Sequence, residues 1–324
     1  MLKLVGVLAM AAAAFGQTKN AAAASPSSDG VAAVVRSLEA GECSAPLLAR
    51  AKRAYAQPAG AAAEMKKRLA AGGIRCAMTL NATNDAAALV QMMNRDFGDD
   101  PEALYITVHT YSDLALRASQ ALLFKHPDAY QVHQLNAEAL ETQGKWNEAA
   151  EEYRMVLKKN PELPGVHYRL GRILLSRPGA DAAAVRDEAR QEFEAELRVN
   201  PKNAGAEFVL AELARQSEKN DEAVARFTRA IQDDRMFADA YLGLGRSLLA
   251  SGKADQAIAP LEQAVKLQPD NPATHFHLAT AYRRSGRKDD ADREAQAHKA
   301  ASDRAQARTD EMKKAVSGQA VGDR

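Results

Sequence analysis

Residues 238–271 read ADAYLGLGRSLLASGKADQAIAPLEQAVKLQPDN, and their pattern decides the fold. Two short amphipathic runs meet at a tight turn, Ser251-Gly252-Lys253, and Pro269 closes the second run. From Leu244-Gly245, thirteen residues lead to Ala257 and twelve more to Pro269. The same landmarks recur on both sides at a period near 34. One such helix pair cannot bury its apolar face alone, so a fixed period of this size specifies a stacked array with one continuous core.

Working outward, the copies are regular from Tyr130. Tyr130–Leu163 carries Gly144-Lys145-Trp146, Ala149, Tyr153 and Pro161, and Pro164–Asn203 carries Leu170-Gly171, Ala189, Phe193 and Pro201. Ala204–Phe237 carries Leu210-Ala211, Ala223, Phe227 and Ala230, with Arg235 where proline closes the others. Pro272 opens a fifth unit with Leu278-Ala279, Tyr282, Gly286 and Ala291. Ala137, Gly171, Ala211, Gly245 and Ala279 fall in the middle of the first helices. Ala149, Ala189, Ala223, Ala257 and Ala291 fall early in the second. Small side chains at both places let two helix backbones approach. Tyr153, Phe193, Phe227 and Leu261 then fill the space where a pair meets the next unit. Proline ends a helix because it excludes the helical conformation from the residue before it.

These residues resemble tetratricopeptide repeats, the 34-residue helix-turn-helix family. The resemblance covers about Tyr130 to Lys299 closely and Val31 to Ala129 weakly. It implies an all-α fold, a right-handed α-solenoid of antiparallel helix pairs. His133 and His167 stand where the family often has Trp, and Asn136 replaces the usual leucine. The Pro164–Asn203 unit has 40 residues against 34, with the extra residues at Arg177-Pro178-Gly179-Ala180-Asp181.

The N-terminal part is irregular. Residues 31–58 outline a helix, a Gly-Glu turn, a helix and Pro58. In 61–101, Gly72-Gly73 and Asn81-Ala-Thr-Asn84 are expected to break helices, with Pro101 closing the unit. Residues 101–127 are expected to pack a short first helix against a longer second one, ending at Pro127. After Lys288 the sequence is polar with Ala as its main apolar residue, as a cap on the open end of a solenoid should be. The expected organisation is a signal peptide over 1–16, a flexible leader over 17–30, degenerate helical repeats over 31–129, five repeats over 130–305, and a polar helix end and tail over 306–324.

The start, MLKLVGVLAMAAAAFGQ, has one Lys and an apolar run from Leu4 to Phe15, with Ala14 and Gly16 suited to cleavage before Gln17. That layout suits export, to a periplasmic or secreted location; an uncleaved apolar helix is the alternative. No other stretch is long and apolar enough to span a bilayer. The two cysteines, Cys43 and Cys76, lie 33 residues apart. They form either a disulfide, as an oxidising compartment invites, or two small buried side chains.

With 43 basic and 42 acidic residues, the formal charge of +1 points to neither a nucleic acid nor an acidic membrane as partner. No glycine-rich phosphate loop, GxSxG, HExxH or CxxC is present, so no catalytic residue, cofactor or metal is expected. His275 and His277 are two apart on a helix and face different sides, which suits no shared metal. His133, His167 and His275 recur at one repeat position, which marks them as packing residues. Asn81-Ala-Thr is formally a glycosylation acceptor, with meaning only in a glycosylating host.

The family resemblance implies that first helices line the concave side of the array. One turn into them stand Gln134, Tyr168, Phe208, Leu242 and Phe276, and a turn further Glu138, Arg172, Glu212 and Arg246 alternate in sign. Glu141, Leu175, Arg215, Leu249 and Arg283 continue the mixture. The candidate groove is therefore Tyr168, Arg172, Phe208, Arg215, Leu242, Arg246 and Phe276, receiving an unidentified protein or peptide. Alternatively the aromatics pack between units and the charges bridge helices. A Lys/Asn/Arg clamp for C-terminal carboxylates, known in the family, is absent: Gln134, Glu138, Arg169, Gly205 and Val209 stand at those places. The leading expectation is a non-enzymatic interaction scaffold in an envelope or exported complex. The alternatives are an enzyme or glycan-processing factor with a site in residues 31–129, and a structural protein that self-associates through its Ala-rich cap.

Overall fold

A helix that must reverse within three residues needs its last carbonyls satisfied, and a left-handed residue just past the helix does this. Gly144, Gly252 and Gly286 take φ of 69°, 73° and 75° at the turn of their hairpins. The amide one residue on then reaches back five positions: Lys145 N donates to Leu140 O at 2.9 Å, Lys253 N to Leu248 O at 2.8 Å and Arg287 N to Tyr282 O at 2.9 Å. Glu218 occupies the equivalent place without being glycine, at φ 60°, with Lys219 N on Ala214 O at 2.9 Å.

The computed structural model describes residues 28–56, 62–177 and 183–322. The signal-like run, most of the leader, Pro58 and the inserted Pro178–Asp181 lie outside them. Among the described residues there are fifteen α-helices and no strand. They form two compact units, Met1–Phe124 and Lys125–Arg324.

In the first unit, α1 (Ser28–Glu39) and α2 (Ala45–Ala56) form one hairpin, and α3 (Ala63–Thr79) and α4 (Thr83–Phe97) a second. Both hairpins turn on the same stop, with Gly41 at φ 81° and Asn81 at φ 57°. Asn81 tolerates that conformation better than most residues because its short polar side chain can bond locally. Cys43 and Cys76 are joined in a disulfide with Cα atoms 5.3 Å apart, tying the start of α2 to α3. Lys67 pairs with Asp100 at 3.1 Å, and Arg68 makes two bonds of 2.7 Å to Glu39. Val34, Val35, Leu48, Leu69, Leu89 and Met93 form the core.

Two expectations are corrected here. Gly72-Gly73 do not break a helix: α3 runs through both. They are glycine for room, since a Cβ on Gly72 would come 2.8 Å from Leu38 Cβ and one on Gly73 would come 3.0 Å from Leu89 Cδ1. Residues 101–125 are not a helix pair but one 25-residue helix, α5 (Pro101–Lys125). Nothing between Pro101 and Lys125 interrupts it, because the stretch holds no Gly and no internal Pro. Pro101 opens α5 rather than closing what precedes it, which suits its fixed φ and missing N–H.

The second unit is the array. Its hairpins are α6 (Tyr130–Thr142) with α7 (Trp146–Lys159), α8 (Val166–Ser176) with α9 (Ala183–Val199), α10 (Ala204–Gln216) with α11 (Asn220–Asp233), α12 (Ala238–Ala250) with α13 (Ala254–Leu267), and α14 (Pro272–Arg284) with α15 (Lys288–Gly322). Helical conformation continues to Gly322, within the stretch expected to be helix end and tail. The ten small residues of the repeat are all buried, as are Tyr153, Phe193, Phe227 and Leu261. The fit leaves no slack: a Cβ on Gly245 would fall 2.4 Å from Leu261 Cγ, and one on Gly243 would fall 2.4 Å from the Phe227 ring.

Four of the five hairpins also carry a polar brace between their helices; in α12 and α13 the equivalent places hold Tyr241 and Pro260. His133 Nδ1 is 2.7 Å from Glu152 Oε2, and His275 Nδ1 is 2.7 Å from Glu294 Oε2, both across 19 residues. His167 Nδ1 meets Glu192 Oε2 at 2.6 Å across 25 residues, the difference being the insertion. In the third hairpin the brace is Arg226 Nη1 donating to Glu207 Oε2 at 3.2 Å. The histidines are thus structural, and more specific than packing alone requires. The long α9 adds a buried carboxylate: both oxygens of Glu196 accept from Gly165 N at 2.9 Å, and Asn203 Nδ2 donates to it at 3.0 Å. Glu196 so satisfies an amide that the first turn of α8 leaves without a helical partner.

Candidate functional site

The first helices of consecutive hairpins touch each other, α10 to α12 and α12 to α14, while no comparable contact links α11 with α13 among the described residues. Elements that approach more closely lie on the inside of a curve. The first helices α10, α12 and α14 therefore lie on the concave side of the second unit.

On that surface an open cavity of about 660 Å³ spans three first helices. Its wall holds Arg215 from α10, Arg246 and Leu249 from α12, and Phe276, His277 and Arg284 from α14, with Glu218 at the turn after α10. Phe276 is 53% exposed, the largest opening of any aromatic in the candidate groove. Arg215 is held by Glu212 through bonds of 3.1 and 2.6 Å, and Arg284 donates to the Leu249 carbonyl at 2.9 Å. Arg246 has no carboxylate within ion-pair distance among the described residues. Partial burial, with Arg246 and Arg215 nearby, lowers the pKa of His277 from 6.5 to about 4. His277 is therefore neutral at pH 7 and can donate or accept a hydrogen bond. Of the three guanidinium groups on the wall Arg215 is paired with Glu212, which leaves Arg246 and Arg284 against Glu218, so the cavity keeps a positive balance beside its aromatic wall.

Of the seven candidate groove residues, Arg215, Arg246 and Phe276 come together here. Leu242 is buried in the core around Leu261 and Leu278. Phe208 stacks between Phe227, at 5.7 Å between ring centroids, and Phe237, at 4.8 Å, so it mainly cements neighbouring hairpins. Tyr168 meets Phe193 edge-on at 5.7 Å, with the exposed Arg172 guanidinium 5.9 Å from its ring centroid. His277, Arg284 and Leu249 complete the wall. Comparison of positions down the repeats already sets Leu249 beside Arg246; His277 and Arg284, the chain neighbours of Phe276 and Arg283, are not picked out by it.

In the N-terminal unit a cavity of about 490 Å³ lies between α2 and α4, lined by Leu48, Arg53, Leu80 and an ion pair of Lys52 with Asp85. Among the described residues no group of three His, Cys, Asp or Glu is placed to hold a metal, and no helix is long and apolar enough to cross a membrane.

A model of the tetratricopeptide repeat matches residues 112–164, 135–186, 185–235 and 208–272, and a second model of the same repeat matches 248–309. No curated protein matches the chain. Similar solved structures include MamA protein, at 20% identity and TM-score 0.48, covering 54% of this chain and 92% of that one. YrrB, a TPR protein with an unusual peptide-binding site, shares 16% identity at TM-score 0.49, covering 57% and 92%. MamA from residue 41 to its end, from Desulfovibrio magneticus RS-1, shares 16% at TM-score 0.47, covering 53% and 94%. Likeness of this degree carries no argument about function. The repeat matches together run from 112 to 309, well over half of the chain, on helix pairs whose bounds follow the repeat: the chain belongs to the tetratricopeptide repeat family and is built as a protein-interaction scaffold.

Proposed function

We propose that the chain holds a protein partner on the concave surface of its second unit, with an acidic side chain of that partner in the cavity between α10, α12 and α14. The observation that carries this is Arg246, a cation without a carboxylate partner among the described residues, on the same wall as the exposed Phe276. A carboxylate there gains a charge-assisted bond and an apolar neighbour can lie on the ring, as in other helical grooves that read extended or helical segments. The proposed action is non-catalytic.

An exported location is part of the same proposal. The apolar run from Leu4 to Phe15 supports it, and so does the Cys43–Cys76 bond, since structural disulfides persist in oxidising compartments.

Fluorescence anisotropy with matched peptides that pair an aromatic residue with Asp, Asn or Lys tests the site. Wild type should prefer the Asp peptides, and Arg246→Ala should weaken them about tenfold, the scale of one hydrogen bond to a charged group. Equal binding of all three peptide sets would overturn the assignment.

A further inference from the structure

The extra residues of the second hairpin change the helix that follows them. α7, α11 and α13 begin three residues before their small packing residue, at Trp146, Asn220 and Ala254, whereas α9 begins six before Ala189, at Ala183. That added turn, with Arg186 just after it, faces the α10–α11 turn of the next hairpin across a narrow cavity of about 140 Å³. The space equals four or five waters at about 30 Å³ each. Arg186 and Arg190 line it from α9, and Ser217, Lys219 and Glu222 line it from the other side. Arg190 is committed to Asp187 at 2.5 Å, and Glu222 to Arg226 at 3.5 Å. Arg186 and Lys219 have no carboxylate within ion-pair distance among the described residues. Two uncommitted cations from different hairpins thus border one small cavity, which suits an oxyanion.

The α10–α11 turn has this cavity on one side and the cavity of Arg246 on the other. Ser217 and Lys219 line the first, while Arg215, Glu218 and Asn220 line the second. Gln216 lines a third cavity, of about 280 Å³, which Arg186 also borders. Only the turn itself stands between the two sets of uncommitted cations.

We infer that the partner segment held at Arg246 continues across this turn and sets a second carboxylate between Arg186 and Lys219. The inference rests on the reading of Arg246 given above and adds a second point of attachment to it. The ligand is then a segment with two separated acidic groups rather than one acidic run, because Glu218 lies on the turn between the two places and repels a carboxylate passing over it. Two weak contacts on one segment reinforce each other, since the second forms at the effective concentration that the spacer sets.

Fluorescence anisotropy of the full chain tests this with peptides that carry the aromatic–Asp pair, a Gly-Ser spacer of graded length, and then Asp or Asn. On wild type the second Asp should tighten binding about fivefold over Asn at the best spacer, the scale of an exposed ion pair. Arg186→Ala with Lys219→Ala should abolish that gain, while Arg246→Ala should weaken the Asp and Asn peptides alike. Arg186 and Lys219 are both exposed, so the unfolding midpoint of the double variant should match wild type. No gain from the second Asp at any spacer overturns the inference, as does a gain that survives the double variant. If the first Asp counts for nothing while the gain from the second is still lost in the double variant, the reading of Arg246 falls and the second attachment stands.

Discussion

Arg226 donates to Glu207 at 3.2 Å in the place where a histidine and a glutamate meet in three other hairpins, with the order of charge exchanged. Glu207 is buried and Arg226 nearly so, and Arg229 reaches the same carboxylate only from the surface at 3.7 Å. Breaking such a pair leaves a carboxylate poorly compensated, while the geometry itself accepts either polarity.

Arg226→Ala should therefore destabilise the second unit by about 2 kcal/mol, less than for a fully buried pair because part of the site stays wet. Glu207→His with Arg226→Glu, which copies the brace of the neighbouring hairpins, should recover most of that loss. A double-mutant cycle in urea measures the coupling; additive effects of the two changes would show that the brace contributes nothing as a pair.

Glu218 is the non-glycine in a row of left-handed glycine turns. The strain for a residue with a Cβ there is about 1 kcal/mol or somewhat more, and glycine returns part of it as backbone entropy in the unfolded chain. Glu218→Gly should raise the unfolding midpoint of the array, by roughly 0.5–1 kcal/mol. It also removes the one carboxylate from the wall of the cationic cavity, so affinity for an acidic peptide should rise in the same variant. Thermal unfolding and anisotropy titration read the two effects separately.

His277 sets a pH dependence of definite sign. In the folded chain its pKa is about 4, against 6.5 for an ordinary histidine, because burial first and Arg246 and Arg215 next oppose its charge. The unfolded chain binds this proton more readily, so the group takes stability away as pH falls from about 6.5 to about 4 and has no effect above that window. Arg246→Ala should raise the His277 pKa, and so should a bound carboxylate. Proton NMR of the imidazole resonance across that range checks both.

The disulfide closes a loop of 33 residues wholly within the first unit. Chain entropy assigns such a cross-link about 3–4 kcal/mol. Reduction, or Cys43→Ser with Cys76→Ser, should lower the unfolding transition of the first unit and leave that of the second in place. Denaturation followed with and without reductant, with hydrogen exchange to assign the transitions, distinguishes this from a global effect.

What was legible in the sequence was whatever must be small, large or left-handed at a fixed place. Gly245 against Leu261, Ala257 beside it and Gly252 in the turn each answer one physical demand; the small residues recur in all five hairpins, the left-handed turn glycine in the first, fourth and fifth. Less was legible where one residue type serves opposite ends. Gly72-Gly73 read as a break because glycine weakens helices, yet tertiary contact with Leu38 and Leu89 needs the absent side chains more than the helix needs the propensity. The single helix α5 was missed because the family pattern asks for a pair where no breaker exists. The candidate groove was read by repeat position alone, which cannot tell Phe208, wedged between two rings, from Phe276, open on the cavity wall. That distinction depends on what packs on each ring: Phe227 and Phe237 enclose Phe208, whereas His277 and His298 border Phe276 and leave it 53% exposed.

The bonds that join one hairpin to the next share a short reach. Cys43 meets Cys76, Lys67 meets Asp100, Arg154 meets Glu188 at 2.5 Å, Arg284 meets the Leu249 carbonyl and Arg304 meets Asp270, each across 33 to 35 residues. Tyr55 to Met92 O spans 37. A chain wired this way never waits for its far end. As it emerges from a ribosome or a translocation pore, each hairpin has every partner it needs once the next hairpin is out, so the order of synthesis can serve as the order of assembly.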